Sequence, residues 1–495
     1  METMNRILTQ GKRFVDEHGR QRIFHGINIC EKGVFDGTKL SYPFDVTVEE
    51  LETLRDSGMN LIRLGFTWDA VEHEMGTYNE EFLNRIEALL DWFAANGMHA
   101  FLDVHQDLYS SFDTFTGDGA PAWACLSDGY KAKPPKAVWA EGYFWGKAVH
   151  RCFDNFWANK EVAGRGLQDR YCDMWAHLAQ RFGSHPAVFG FDIMNEPFPG
   201  TPGGALFRKL ALGLAKTTLT HKSVNRKAVF KGFVSPQNSH LIFNAVTVDV
   251  MKELAAKVAP IIARFDREHF TPFINKVSAV IREKTANGII IFENCYYSNL
   301  GIPCHNGPVC IKGKTEPHQA FSPHAYDLMV DTPLYKYADN NRVAFIFGQR
   351  KKEQDTRLDM PVLVGEWGGN SEGTEWLPHV EYLLDLFDSY QWSNCYWAYY
   401  KGFNSSYVID VLRRSYPQAV TGNIISYKHD RKSNTFTLCY EQDREYDAPT
   451  EIFIHKEIET IEADGEITVE KRAGTASIVK IKTAPGKHTV TVNLR

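Results

Sequence analysis

No stretch of the 495-residue sequence stays apolar over the roughly 20 residues needed to cross a bilayer, so no membrane-spanning helix is expected. An apolar core of the signal-peptide kind is also missing from residues 1–20, METMNRILTQGKRFVDEHGR. A cytoplasmic chain is therefore expected, the alternative being a secreted one whose leader has been removed. Positive charge is not in excess: 55 Lys and Arg against 61 Asp and Glu leave −6, the wrong sign for a nucleic-acid partner. The nine cysteines cannot all pair within one chain, which fits a reducing compartment. Cys304 and Cys310 flank His305 in a loop rich in Gly and Pro and are expected as a disulfide or as free thiols. No second ligand pair stands at zinc spacing, so zinc is not expected there, and the carboxylate chemistry of the strand ends needs no metal or organic cofactor.

One further absence is local. From Thr201 to Val248 there is no Asp or Glu, while Arg208, Lys209, Lys216, Lys222, Arg226, Lys227 and Lys231 are interleaved with leucines and phenylalanines. Two readings stay open: an amphipathic lid helix packed on the body of the protein, or a surface that approaches anionic lipid.

Aromatic residues are plentiful, at 13%, which suits stacking on sugar rings or covering lipid. Eight short apolar runs recur along the chain, at 23–29, 60–64, 99–104, 188–194, 289–293, 320–324, 362–366 and 394–398. Helical patterns separate several of them, at 48–57, 80–95, 166–182, 270–285 and 376–391. Alternation of this kind implies a parallel sheet, and eight strands are the tally of a (β/α)8 TIM barrel. Two long interruptions follow the third and fourth strands. The first, 105–165, carries many aromatic rings and reads as a cleft wall, or in part as a locally packed subcore. Beyond Pro417 the chain alternates Thr, Val and Ile, the pattern of an antiparallel β-sandwich. The expected division is thus a catalytic barrel over 1–417 and a C-terminal sandwich over 418–495.

Chemistry gathers where the apolar runs end. Residues 190–199, GFDIMNEPFP, stop at Asn195-Glu196-Pro197; taken alone this could be a helix capped by Asn195. A second stretch of the same kind, 361–369, PVLVGEWGG, ends on Glu366 and favours strand ends for both. Two carboxylates at strand ends are the minimum equipment of a glycosidase. With this register Arg63, His105, Asn195, Glu196, Tyr296, His324, Tyr326, Glu366 and Trp397 all close strands at one mouth.

In IRLGF around Arg63, DVHQD around His105, DIMNEPF around Glu196, SPHAYD around His324 and Tyr326, VGEWG around Glu366 and YWAYY around Trp397, the sequence resembles the retaining β-glycosidases of glycoside hydrolase family 5. GDGAPAW at 117–123 and YPQAVTG at 416–422 make it similar to the endoglycoceramidase-like branch, whose members release the glycan of glycosphingolipids from ceramide. The resemblance implies that Glu366 attacks the anomeric carbon as an ionised carboxylate, held by Arg63 and the Tyr326 hydroxyl. It implies Glu196 as acid and base, Asn195 on the sugar 2-hydroxyl, His105 and His324 nearby, and Trp397 as the floor under the ring. A retaining pair should stand about 5–5.5 Å apart, an inverting pair about 6.5–9.5 Å. The expected partner is an amphiphilic β-glycoside, with peripheral lipid contact through 201–248. A β-glucosidase acting on glucosylceramide or a steryl β-glucoside is the alternative, followed by an endo-β-1,4-glucanase. From another class comes a catalytically silent glycolipid-binding protein.

Overall fold

Eight parallel strands form one sheet in the computed structural model, which describes residues 4–35, 40–136 and 138–495. They are β1 (His25–Glu31), β2 (Leu61–Thr67), β3 (His99–His105), β4 (Val188–Asp192), β5 (Ile289–Glu293), β6 (Gln319–Ser322), β7 (Leu363–Val364) and β8 (Ser393–Tyr396). Their order around the sheet is β6-β5-β4-β3-β2-β1-β8-β7. Parallel bridges from Phe321 to Val362 and from His324 to Glu366 join the two edges, so the ring closes. Every expected strand is present within a few residues of its expected place.

Burial on both faces explains why these runs are largely apolar rather than alternating: β2 and β3 are buried at every position. Leu61, Phe101, Phe189, Ile289 and Leu363 fill the barrel axis. A hairpin of Ile7–Gln10 and Arg13–Asp16 closes the floor. Its Phe14 ring meets Phe24 and Phe189 edge-on at 5.9 and 5.2 Å. With an apolar plug at the N-terminal end, polar groups have only the opposite mouth to occupy. The five expected helices occur as Val48–Asp56, Glu80–Ala95, Leu167–Phe182, Thr271–Lys284 and Leu377–Tyr390. Further helices, the longest being Lys147–Trp157, Val248–Phe265 and Asn340–Glu353, lie where no helix is expected from the sequence pattern.

The division between residues 417 and 418 differs from the structure at the N-terminus. Gln21–Arg22 pairs with Tyr416–Val420, which makes the N-terminal hairpin the edge of a seven-stranded sheet otherwise built from the C-terminal region. A four-stranded sheet faces it across a shared core that includes Phe453, Phe436, Leu438 and Val490, giving the expected sandwich. Arg20 explains the recruitment of the hairpin: buried, it binds Asp16 and Glu451, each at 2.9 Å.

The insertion after β4 folds into helices Thr201–Thr220 and Arg226–Val234 and a 3-10 segment. These cover a small core of their own, Val224, Val229, Ala245, Val250 and Leu254. All nine cysteines are free thiols, and the buried Cys304 donates to Glu353 Oε2 at 2.9 Å. Among the described residues no helix is long and apolar enough to cross a membrane.

Candidate active site

At the C-terminal mouth of the barrel, Arg63 is the organising cation. It projects from the middle of β2, is fully buried, and faces Asp103, Asp192, Glu293 and Glu366 at 3.1, 3.1, 2.7 and 2.6 Å. Nη1 also donates to Asn28 Oδ1 and Nη2 to Asn195 Oδ1, at 3.0 and 2.9 Å. Four carboxylates around one guanidinium leave negative charge in excess. Burial, with Asp103 adding and Arg63 opposing, lifts Asp192 to about 7. Burial and the Asp192 charge hold Glu293 well above the carboxylate range. The pair therefore retains a proton at neutral pH.

Glu366 follows β7 and is fixed from two sides. Arg63 Nη1 donates to Oε1, and the Tyr326 hydroxyl, on the segment after β6, donates to Oε2 at 2.7 Å. The strand can bring it here because residue 365 is glycine: a Cβ there would stand 2.6 Å from His324 Nε2. Behind it the buried Trp367 donates Nε1–H to Asn394 Oδ1 at 3.1 Å.

Glu196 lies just past β4 in the left-handed region, φ +41°, a strained position for a residue with a side chain. Its backbone holds it there: N–H donates to Glu293 Oε2 at 2.7 Å, and Gln106 Nε2 donates to the Asn195 and Glu196 carbonyls at 3.0 and 3.1 Å. Oε1 accepts from Asn299 Nδ2 at 2.6 Å and lies 3.2 Å from His324 Nδ1. Burial first, then the Asp107 charge, raises this carboxyl; Asn299, His105 and Arg63 oppose, leaving it at about 7.

The two glutamates meet at His324. Its Nδ1 is 3.2 Å from Glu196 and 3.6 Å from Glu366, and one oxygen of each carboxylate lies within 4.8 Å of the other. Burial lowers His324 to about 3, so it stands between them as neutral imidazole. On the other side His105, at the end of β3, binds Asp103 through Nδ1 at 2.8 Å and stacks on Trp397 at 5.3 Å. Burial opposes a charge on His105, but the Cys30 sulfur and Asp103 outweigh it and hold the imidazole well above its ordinary value. Trp397 is half-buried beyond β8, with Lys32 Nζ 5.0 Å from its ring centre.

All eight residues expected to bind or react are thus at one mouth, with Tyr296, whose ring lies 4.5 Å from Tyr143. Others join them that the sequence reading did not single out. Lys32, just after β1, pairs with Asp107 and with Asp118 at 3.3 Å. Asp107 lies inside DVHQD, and Glu293 closes IIIFE as Glu196 and Glu366 close their own strands, so both carried a signal. Asn299 sits on a one-turn 3-10 segment far from Glu196 in sequence and carried none. The aromatic interruption divides as its two readings allowed. Tyr143, Phe153, Phe156 and Trp157 are buried, whereas Trp139 and Trp145 remain 43% and 58% exposed.

Chemically, the mouth offers one carboxylate held by a cation and a hydroxyl donor, and a second, protonated near neutrality, across a gap of sugar-ring size. Residues 15–402 match the cellulase model of glycosyl hydrolase family 5, and residues 414–492 match the C-terminal domain model of glycoside hydrolase family 5. An endoglycoceramidase of Cyanea nozakii is 31% identical over 217 residues, 38% of this chain and 41% of the relative. A glucosylceramidase of Cryptococcus neoformans is 28% identical over 253 residues, 40% and 34% of the two chains. The match thus spans about two fifths or less of these relatives. The endo-glycoceramidase II of Rhodococcus sp., in its ganglioside GM3 complex, superposes with a TM-score of 0.74 at 22% identity, over 98% of this chain and 100% of that one. At that identity the likeness is one of fold. On the model that matches most of its length, the chain belongs to glycoside hydrolase family 5.

Proposed function

We propose that the protein hydrolyses, with retention of configuration, the β-glycosidic bond between glycan and ceramide in glycosphingolipids. One observation carries the mechanism: one oxygen of Glu196 and one of Glu366 lie within 4.8 Å of each other, an approach that fits a retaining pair, and the two carboxyls stand in opposite electrostatic settings. Glu366, with Arg63 and Tyr326 on its oxygens, attacks the anomeric carbon as the carboxylate. Glu196, raised to about 7, gives its proton to the glycosidic oxygen, and the ceramide alcohol leaves. The sugar is then an ester of Glu366 and that negative charge is gone. Glu196, now more easily ionised, takes a proton from water, which attacks the same carbon and frees Glu366.

Asn195 fits the sugar 2-hydroxyl: its Oδ1 is taken by Arg63 and one amide hydrogen by the Gln106 carbonyl at 3.0 Å, while Nδ2 meets His105 Nε2 only at 3.5 Å, a long contact that a sugar hydroxyl can replace. Trp397 and the Lys32–Asp107 pair supply an apolar face and polar groups beside it. The partner is an amphiphilic β-glycoside, and its lipid end approaches through segment 201–248, which starts five residues past Glu196. The endoglycoceramidase relatives support the ceramide aglycone. The glucosylceramidase of Cryptococcus neoformans supports a second reading, a β-glucosidase on glucosylceramide.

A panel of lactosylceramide, glucosylceramide, a steryl glucoside and a soluble β-glucan separates these readings. Release of intact lactose from the first supports the leading one, and turnover of glucosylceramide alone supports the second. NMR of the freshly released sugar should show the β-anomer. An α-anomer, or normal activity in Glu366→Gly, removes the double displacement.

A further inference from the structure

The outer faces of the two insertion helices carry a combination that internal packing does not use. On Thr201–Thr220, Arg208, Leu212, Lys216 and Leu219 fall on one stripe, opposite the buried Leu206 and Thr217. Leu212 is 74% and Leu219 72% exposed. On Arg226–Val234 the arrangement repeats. Val229 and Gly232 face inward, while Phe230 and Phe233, at 68% and 70% exposure, face out beside Arg226, Lys227 and Lys231. Trp145 extends the same surface, its ring 5.6 Å from Phe207, at the rim of an open cleft of about 570 Å³ that Lys147 and Arg208 also border.

Single exposed apolar side chains are ordinary, but five large ones on neighbouring helices are not. Their setting selects the occupant. No carboxylate lies between Thr201 and Val248, and among the described residues none of Lys209, Lys216, Lys227 or Lys231 is in an ion pair. The carboxylates beside the segment belong to the next helix, where Asp249 pairs with Lys252 and Glu253 with Lys257 and, at 3.9 Å, with His221. Apolar side chains ringed by unpaired lysines complement a surface that is negative outside and hydrocarbon within, which is an anionic leaflet. The small core beneath keeps both helices presented together.

We propose that this face docks the protein on an anionic lipid bilayer. Leu212, Leu219, Phe230 and Phe233 enter the acyl boundary, and the lysines around them rest on headgroup phosphates and carboxylates. Docking places the mouth carrying Glu196 at the lipid surface. In purpose it rests on the reading of a glycolipid substrate; in measurement it does not.

The test is co-sedimentation of the full chain with vesicles of phosphatidylcholine, alone or with phosphatidylserine, containing no glycolipid. The expected result is partition to the anionic vesicles only, reversed by salt. Changing Lys209, Lys216, Lys227 and Lys231 together to Ser should cut that partition by on the order of several hundredfold, at about fivefold for each lysine near the surface. Leu212→Ser with Phe230→Ser and Phe233→Ser should also weaken it, by at least about tenfold. Both variants should hydrolyse a soluble aryl β-glycoside at the unchanged rate. Equal partition to neutral vesicles, no partition of the unaltered chain, or variants that bind normally each overturn the proposal. Vesicle binding without hydrolysis of any glycolipid would instead remove the proposed activity and leave the docking intact.

Discussion

At the scale of single residues, the site is a problem of distributing too much negative charge. Seven acidic groups, Asp103, Asp107, Asp118, Asp192, Glu196, Glu293 and Glu366, lie close to Arg63, Lys32 and the His105 imidazole, three cations at most, and all but Asp107 are deeply buried. The Asp192–Glu293 pair and Glu196 answer by keeping protons, and Glu196 is the one that faces Glu366. A general acid at about 7 must be protonated to act, so kcat/KM should fall as pH rises through that value. The Asp107 charge is second only to burial in holding Glu196 up. Asp107→Asn removes that charge and leaves Lys32 uncompensated by it; both changes favour ionised Glu196. The alkaline limb of the pH–rate profile should therefore move to lower pH, by about half a unit to one unit. A limb that stays in place, or moves up, assigns the alkaline limb to another group. Glu366, Glu196 and their strand-end partners could be found in the sequence because each ends an apolar run. Asn299 could not, since it reaches Glu196 from a loop whose course is set only by the folded barrel.

At the scale of elements, what could be read from the sequence depended on whether burial and hydropathy coincide. Strands buried on both faces are apolar at nearly every position, and all eight stand out. Helix Asn340–Glu353 does not, although Val343, Ile346, Phe347 and Arg350, four of its six buried residues, have helical spacing. One of the four is an arginine, buried because it donates to the Ile302 carbonyl at 2.7 Å and pairs with Glu353 at 3.2 Å. Helix Val248–Phe265 is masked by Pro260 in its fourth turn, a residue that normally ends a helix pattern. The N-terminal hairpin is visible as a hairpin, but nothing local marks it as the barrel floor. That role makes a prediction specific to one end of the barrel. Phe14→Ala empties a site enclosed by Phe24 and Phe189 and should cost about 3–5 kcal/mol, read as a lower denaturant midpoint. Because the floor is at the far end from Glu196 and Glu366, KM for an aryl β-glycoside should stay unchanged. A raised KM with a normal midpoint would mean the plug shapes the mouth rather than supporting the fold.

At the scale of the whole molecule, barrel and sandwich are joined by buried polar contacts rather than by a linker. Gln21 donates to Gln391 Oε1 at 3.2 Å and accepts from the Ile424 amide at 2.9 Å, so one side chain ties the hairpin, the last barrel helix and the sandwich together. Tyr416 Oη donates to the Gly58 carbonyl at 2.6 Å, and the buried Arg414 pairs with Asp388 and, at 3.1 Å, with Asp385. Gly58 has φ +95°, and a Cβ on it would stand 2.4 Å from the Phe453 ring, so barrel and sandwich approach as closely there as glycine allows. Cutting the chain after residue 413 removes the strand that pairs with Gln21–Arg22 and leaves Asp385 and Asp388 without their arginine. A buried group stranded in this way, such as Asp388, costs about 1–3 kcal/mol, and several together with the opened sheet edge become comparable to the 5–15 kcal/mol that typically holds a domain folded. Residues 1–413 alone should therefore fail to accumulate as a soluble, active barrel, and deletion of 1–22 from the full chain should fail in the same way, since it opens the same sheet edge. If residues 1–413 purify with the melting temperature and aryl β-glycosidase activity of the full chain, the sandwich is an appendage. If both deletions fail, the folding unit is the whole chain, and the barrel carrying Glu196 and Glu366 exists only with the sandwich closed around its first strands.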